Sequence, residues 1–178
     1  MGQFMKDYSF QERLLLSSGV AANTNVRAIL MNNIPGALSV EQAQLEDDKT
    51  GVDWFVYRQK IHPIRIDAKV RETDPIQEFG KDDLALETWS VIGIKPGWTR
   101  DTQKQSDYIL WLFKPTARWV LIPFPMLQQV FTAHMKAWCE HYKVSRQTSE
   151  GGRWRSECVF VPRAVIWQSI YNRYGGKP

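Results

Sequence analysis

The chain has 178 residues, of which 43% are hydrophobic and 12% aromatic, which is enough to bury one sizeable core. We therefore expect a single domain over residues 1–178. The formal charge of +4 is compatible with a polyanionic partner, but it is too small for a histone-like or tail-driven binder.

Cysteine usage and hydropathy predict a cytoplasmic protein. Cys139 and Cys158 are too few for a disulfide framework, and the first residues lack a charged-then-apolar leader. The longest apolar runs, YILWLF and WVLIPFPML, are too short to span a bilayer. We expect reduced cysteines and no membrane segment.

The first predicted element is a helix. Ser9 can cap a helix that begins in SFQERLLL, and Glu12 can complete a capping box three residues later. This helix should end near Gly19. The segment ANTNVRAILMNN that follows is compatible with either a short helix or an irregular link before Pro35.

Strand patterns dominate residues 38–91. In four segments, apolar and polar residues alternate or the residues are continuously apolar: LSVEQAQL, VDWFVYR, IRIDAKV and LALETWSVI. Because the connections between them are short, we expect the four strands to form a mainly antiparallel sheet.

The patterns in the second half of the sequence predict further strands and two helices. DYILWLFK and ARWVLIPF read as strands, and PMLQQVFTAHMKAWCEHY has apolar residues at helical spacing. ECVFVP predicts a further strand and RAVIWQSIYNRY a closing helix, with a mobile loop predicted at SRQTSEGGRWR. The pattern favours an α/β (α+β) fold.

The hairpin predicted at residues 51–72 carries charges on one face. Residues two apart in a strand share a face, so Asp67 and Lys69 should point the same way. If the turn centres near Lys60, Asp53 lies opposite Asp67, with Cβ atoms roughly 4.5–5.5 Å apart. Two carboxylates at that separation repel each other, and a bound Mg²⁺ would relieve the repulsion.

A different register leaves another interpretation open. A slip of one residue would move Asp53 to the opposite face of the sheet. In a separate alternative, Asp53 only ends a turn after Gly51, and Asp67 pairs with Arg65 or Lys69 on a solvated face.

The same stretch resembles the signature of the PD-(D/E)xK nuclease superfamily, which has the restriction-endonuclease-like fold. That signature is an aspartate on one strand and an acid, any residue and lysine on the next antiparallel strand. Asp53 and the tripeptide Asp67-Ala68-Lys69 match it, although Val52 replaces the proline before the first acid. The element order is also similar, so the resemblance implies a central mixed sheet with antiparallel hairpins, flanked by helices.

The resemblance implies a metal-dependent endonuclease that hydrolyses DNA with Mg²⁺, or with Mn²⁺ in its place. Asp53, Asp67 and the carbonyl of Ala68 would bind the metal, and Lys69 would position water or offset charge at phosphorus. Members of the superfamily often dimerise to cut both strands, which leaves a homodimer open.

A further glutamate often completes the acids of that superfamily. Glu12 is one candidate, but the capping box also explains it. Glu87 is another, with a water-facing position on an edge strand as the alternative. Glu41 is a weaker third candidate.

Cations near the acidic pair are candidate DNA contacts, together with one tryptophan in the loop KPGWTRDTQKQ. The candidate nucleic-acid-binding residues are Arg58, Lys60, Arg65, Arg71, Lys95, Trp98, Arg100 and Lys104. The alternative is a solvated charged surface with Trp98 as a packing residue.

The main rival to the enzyme is a catalytically inactive nuclease-fold protein that acts as a DNA- or protein-binding module. The intact trio of Asp53, Asp67 and Lys69 favours the enzyme, because a binding protein has no need for opposed carboxylates. An accidental match in an unrelated α/β protein is a third interpretation.

Overall fold

The computed structural model describes residues 26–44, 47, 50–59, 61–148 and 152–175. We label its helices and strands in chain order: α1 (Val26–Asn33), β1 (Ala37–Gln42), β2 (Trp54–Arg58), β3 (Ile61–Arg71), α2 (Pro75–Phe79), β4 (Asp83–Val91), β5 (Lys95–Pro96), β6 (Tyr108–Phe113), β7 (Arg118–Pro123), α3 (Phe124–His141), β8 (Val144–Thr148), β9 (Arg155–Pro162) and α4 (Arg163–Tyr174). The helix predicted to begin at Ser9, which includes Glu12, lies outside the described residues.

Among the helices within these ranges, none combines the length and the hydropathy that a membrane crossing requires.

The larger sheet contains five strands in the order β1, β2, β3, β6 and β7. β3 and β6 run parallel, and every other neighbouring pair in this sheet is antiparallel. The prediction of a mixed central sheet in an α+β protein is therefore confirmed. The alternative of an irregular link after Gly19 is wrong from Val26 onward, where α1 forms.

A second, antiparallel sheet contains β5, β4, β9 and β8 in that order. The prediction that LALETWSVI, residues 84–92, belongs to one antiparallel sheet with the first three strands is wrong, because β4 pairs with β9 and not with β3. Parallel neighbours such as β3 and β6 need a long crossover connection. β4 belongs to that crossover, and it finds its hydrogen-bond partners in the second sheet.

Both faces of β6 are covered. On one face, Leu110 and Leu112 pack with Ile66 and with Leu30 of α1. On the other, Trp111 belongs to a core with residues of the second sheet, α3 and α4. A strand buried on both faces has a continuous apolar run, which explains the uninterrupted sequence YILWLF.

The predicted helix after β7 is confirmed as α3, and its apolar stripe faces the core. Leu127, Val130, Phe131 and Trp138 are all buried. The mobile loop predicted at SRQTSEGGRWR is wrong for its first residues, because β8 includes them and pairs with β9.

A buried carboxylate fastens α2 to the first sheet. Asp74 caps α2 by accepting from the Ile76 N–H at 3.0 Å, and it also accepts from Thr116. Arg118 of β7 donates to both Asp74 oxygens, at 2.7 and 3.0 Å, and bonds Asp82 at 2.9 Å. These bonds with Arg118 hold the pKa of Asp74 well below its usual range.

We expect Asp74→Ala to lower the free energy of unfolding by about 3 kcal/mol, because it removes a helix cap and leaves Arg118 without its buried partner. A carboxyl with a depressed pKa stabilises the fold above its ordinary value of 3.8 and loses that effect as pH falls further. Urea denaturation at pH 7 and pH 3 should therefore show a larger difference from wild type at pH 7.

Glu72→Ala is the matched control. It breaks the ion pair between Glu72 and Lys114, in which Glu72 is 56% exposed, and such surface pairs contribute about 0–1 kcal/mol. Equal losses in the two variants would contradict the role assigned to Asp74.

Candidate active site

β2 and β3 pair in the register expected for a turn near residue 60, and Asp53 directly precedes the first paired residue of β2. Trp54 pairs with Ile66 and Phe55 with Arg65. The backbone N–H of Asp53 also donates to the Ile66 carbonyl, at 2.7 Å, so Asp53 and Trp54 both lie against Ile66. The expected register is therefore confirmed for residues 54–56, and the one-residue slip is wrong there. The side chains of Asp53 and Asp67 lie close enough to interact directly.

The backbone of Ala68 joins this pair. A carboxylate oxygen of Asp53 accepts from the Ala68 N–H at 2.5 Å. In a strand, the N–H and C=O of one residue point to the same neighbour. The Ala68 carbonyl consequently faces the side on which Asp53 lies, so the three residues predicted to bind a metal lie together.

Asp67 is buried and paired with two lysines. Its side chain is 2% exposed, with Oδ1 2.7 Å from Nζ of Lys69 and Oδ2 2.6 Å from Nζ of Lys104. The alternative interpretation is right that Asp67 pairs with Lys69, but wrong that it lies on a solvated face. Each oxygen of this carboxylate instead meets an ammonium group.

The two carboxyl groups differ in their electrostatics. Burial and the neighbouring Asp67 raise the pKa of Asp53 to about 7, although Lys69 opposes the shift. Burial also acts to raise the pKa of Asp67, but Lys69 and Lys104 outweigh it, so that pKa is lowered. At neutral pH the pair therefore holds Asp67 ionised and Asp53 partly protonated.

Lys104 reaches Asp67 from the loop 97–107, which is fastened to both sheets. Gly97 packs so closely on β4 that a Cβ would lie 2.1 Å from the Glu87 carbonyl oxygen. At its other end, the loop donates from the side chains of Lys104 and Ser106 to the carbonyl of Gly51.

Trp98 in this loop is a packing residue beside the acids. Its ring centroid lies 5.8 Å from that of Trp111 and 6.3 Å from that of Phe124. Nζ of Lys69 lies 5.2 Å from the Trp98 ring. The indole therefore forms one wall of the space around Lys69.

The three glutamate candidates differ in where the structure places them. Glu87 is half-buried, and its Oε2 accepts from the Trp98 N–H at 2.9 Å and from Ser90 at 2.8 Å, so it holds the loop and does not face water on an edge strand. Glu41 is exposed on β1, and Glu12 lies outside the described residues. In the part of the chain that the structure describes, no three His, Cys, Asp or Glu side chains are grouped so as to hold a metal ion.

Several predicted DNA-contacting cations are engaged with protein groups. Arg65 forms an ion pair with Asp107 at 3.0 Å, in which both side chains are 37% exposed. The Arg100 guanidinium lies 4.6 Å from the Trp89 ring centroid. Arg58 lies at the end of β2 in the hairpin.

Other predicted DNA-contacting residues line two different cavities. Lys95, Trp98 and Lys104 line a cavity of about 310 Å³, which adjoins the acids because Lys104 also contacts Asp67. Arg71 lines a separate cavity of about 260 Å³. Lys60 lies outside the described residues.

Sequence reasoning missed the pairing of Lys104 with Asp67. The position of Lys104 in a basic loop predicts contact with DNA, and nothing in the spacing of that loop signals a contact with β3. The carbonyl of Gly51, which accepts from Lys104 at 3.0 Å, was missed for the same reason.

Comparison of the chain with protein-family models, with curated proteins and with solved structures finds no match. The fold is that of a mixed α+β protein, and the acidic site is the feature of the chain that bears on function.

Substitution of the two aspartates should change stability in opposite directions at pH 8. Asp53→Asn should raise the free energy of unfolding by about 2 kcal/mol, because it removes a charge that burial disfavours and keeps an acceptor for Ala68. Asp67→Asn should lower it by about 3 kcal/mol, because Lys104 stays buried without an anion.

The pH dependence separates the two effects. A carboxyl with a raised pKa stabilises the fold while it keeps its proton, so the Asp53 contribution is lost as pH rises from 3.8 to about 7. The gain from Asp53→Asn should therefore nearly vanish at pH 4, as measured by urea denaturation. Glu78→Gln, an exposed control on α2, should differ little from wild type at either pH. Destabilisation by Asp53→Asn at pH 8 would contradict the assignment.

Proposed function

We propose that the protein is a metal-dependent endonuclease that hydrolyses phosphodiester bonds in DNA. The observation that carries this proposal is the adjacent carboxyl groups of Asp53 and Asp67, with Nζ of Lys69 2.7 Å from Oδ1 of Asp67. Burial and mutual repulsion raise the pKa of Asp53 to about 7, which costs stability. Groups retained at such a cost are concentrated at functional sites.

The donor set fits Mg²⁺. This ion prefers oxygen ligands and is commonly held by one or two carboxylates together with water and substrate phosphates. Asp53, Asp67 and the Ala68 carbonyl would hold it, and Mn²⁺ would suit the same oxygens. When bound, the ion would polarise a phosphate oxygen and lower the pKa of a water ligand.

The remaining groups of the site have roles that follow from their positions. Lys69 is 22% exposed and lies against the Trp98 ring, so its ammonium group can donate to a water or to a phosphate oxygen. It would thereby offset negative charge that develops at phosphorus in the transition state. Asp53 would release its proton when a cation binds, because the cation favours the ionised carboxylate.

The adjoining cavity supports a polyanionic substrate. Lys95 is exposed at its rim, and Lys104 lines its wall beside Asp67. Cationic side chains beside a metal-binding carboxylate pair suit the phosphates that flank a cleaved bond. Trp98 offers an apolar surface in the same cavity.

The topology also supports the resemblance to the PD-(D/E)xK superfamily. β1, β2 and β3 form a three-stranded antiparallel meander, which α1 precedes and α2 follows. Asp53 and the tripeptide Asp67-Ala68-Lys69 lie on its second hairpin. We infer that this part of the chain is a restriction-endonuclease-like core.

A cleavage assay tests the proposal. Wild-type protein should nick or cut plasmid or branched DNA with Mg²⁺ or Mn²⁺, and chelation by EDTA should abolish the reaction. Asp67→Asn and Lys69→Met should each lower the rate by about 100-fold or more, because each removes a group that acts in the transition state.

Lys114→Met is the matched control, since Lys114 pairs with Glu72 on the surface. It should cleave as wild type does, and circular dichroism should show that every variant is folded. Full activity in both Asp67→Asn and Lys69→Met would refute the site assignment.

A second candidate is a non-catalytic nuclease-fold protein that binds DNA or another protein. The observation that favours it is the double ion pair of Asp67, whose two oxygens already meet Lys69 and Lys104. In that case wild-type protein should raise the fluorescence anisotropy of labelled DNA, and it should not cleave that DNA with either Mg²⁺ or Mn²⁺. Asp67→Asn, if folded, should bind as tightly as wild type.

A further inference from the structure

Lys104 places an ammonium group beside Asp67 in a contact that a bound cation would also need. Nζ lies 2.6 Å from Oδ2 of Asp67, and the Lys104 side chain is only 5% exposed. Nζ also donates to the Gly51 carbonyl at 3.0 Å and lies 5.8 Å from the ring centroid of Phe124. A carboxylate, a carbonyl and an aromatic face together make a specific cradle for a cation.

The cradle depends on a glycine at position 51. Its φ is +76°, a conformation that side chains rarely adopt. A Cβ at this position would lie 2.0 Å from Nζ and 3.1 Å from Cε of Lys104. The ammonium group can therefore occupy its position only because residue 51 has no side chain.

The contact of Lys104 places a positive charge beside the oxygen that a metal would use. Mg²⁺ binds carboxylate oxygens at about 2.0–2.1 Å and requires near-ideal octahedral geometry. An ammonium group whose Nζ lies 2.6 Å from Oδ2 of Asp67 occupies part of the space around that oxygen. Because two cations at one carboxylate repel each other, the ammonium group and a metal compete for Asp67.

We propose that Lys104 is a resident cation of the acidic site, which a divalent metal must displace, and that the displaced ammonium group binds a substrate phosphate in the adjoining cavity. This inference rests on the proposed metal site. Lys104 already lines that cavity of about 310 Å³, and its four-carbon stem allows the ammonium group to turn without moving the loop backbone. Lys95 lies in the same cavity and adds positive charge there.

The exchange would couple the metal to the substrate. A phosphate that attracts Lys104 away from Asp67 frees an oxygen ligand, so DNA should raise the affinity for metal, and metal should raise the affinity for DNA by the same factor. Without substrate, Lys104 keeps Asp67 neutralised. The site would then bind metal tightly only when DNA is present.

Mn²⁺ binding to the full chain tests this inference without any cleavage readout. Isothermal titration and the electron paramagnetic resonance signal of free Mn²⁺ should show binding about 10-fold tighter, or more, in Lys104→Met than in wild type. Lys95→Met removes the same charge from the same cavity without touching Asp67, so its Mn²⁺ affinity should stay within about twofold of wild type. These fold-changes are well outside the error of a titration, since a factor of 10 corresponds to about 1.4 kcal/mol.

Gly51→Ala is the second variant, and it separates displacement of the ammonium group from loss of its charge. It keeps Lys104 but leaves no room for Nζ, so Mn²⁺ should again bind more tightly than in wild type. Circular dichroism and urea denaturation should verify folding, because a side chain at positive φ costs about 1–2 kcal/mol.

The coupling to DNA is measured in the same titrations with a short duplex present. In wild type, the duplex should tighten Mn²⁺ binding several-fold, and this effect should be largely lost in Lys104→Met. Equal Mn²⁺ affinities in wild type, Lys104→Met and Gly51→Ala, with binding lost in Asp67→Asn, would overturn the role of Lys104 while keeping the metal site. Absence of Mn²⁺ binding in every variant, with and without DNA, would overturn both the metal site and this inference.

Discussion

The parallel pairing of β3 with β6 is the constraint on which the rest of the structure depends. Two parallel neighbours cannot be joined by a tight turn, so the chain must leave the first sheet and return to it from the other end. Residues 72–107 make this crossover, and they contain α2, β4, β5 and the loop 97–107. The second sheet thus arises from the crossover, since β4 finds its partner in β9.

The same crossover builds the acidic site. β3 supplies Asp67 and Lys69, and the loop that leads into β6 passes over them before it reaches Tyr108, the first residue of the strand. Glu87 holds the start of this loop through the N–H of Trp98, and Gly51 holds its end through Lys104. The position of Lys104 is therefore a consequence of strand order, and the pairing of its ammonium group compensates the burial of Asp67.

The two proposed functions differ in what happens to Lys104. If the ammonium group stays on Asp67, the site is an internally neutralised ion-pair network, which suits a binding module. If a metal replaces the ammonium group at Asp67 and the ammonium group binds a substrate phosphate, the same residues form a hydrolytic site that assembles when substrate binds. The burial of Asp53, whose pKa is raised to about 7, is unfavourable in the first case and useful in the second.

Much of the fold and the centre of the site could be predicted from the sequence, because they depend on local spacing. Period-two alternation and a short turn determine which residues of a hairpin oppose each other, so the approach of Asp53 to Asp67 could be predicted from the chain alone. The apolar spacing of α3 is equally local. Only the tertiary structure decided that β4 joins a second sheet, that Glu87 serves a loop and that Lys104 lies on Asp67. Those contacts join residues far apart in the chain, and they depend on the path of the crossover and on the burial that it creates, neither of which is encoded in the spacing of neighbouring residues.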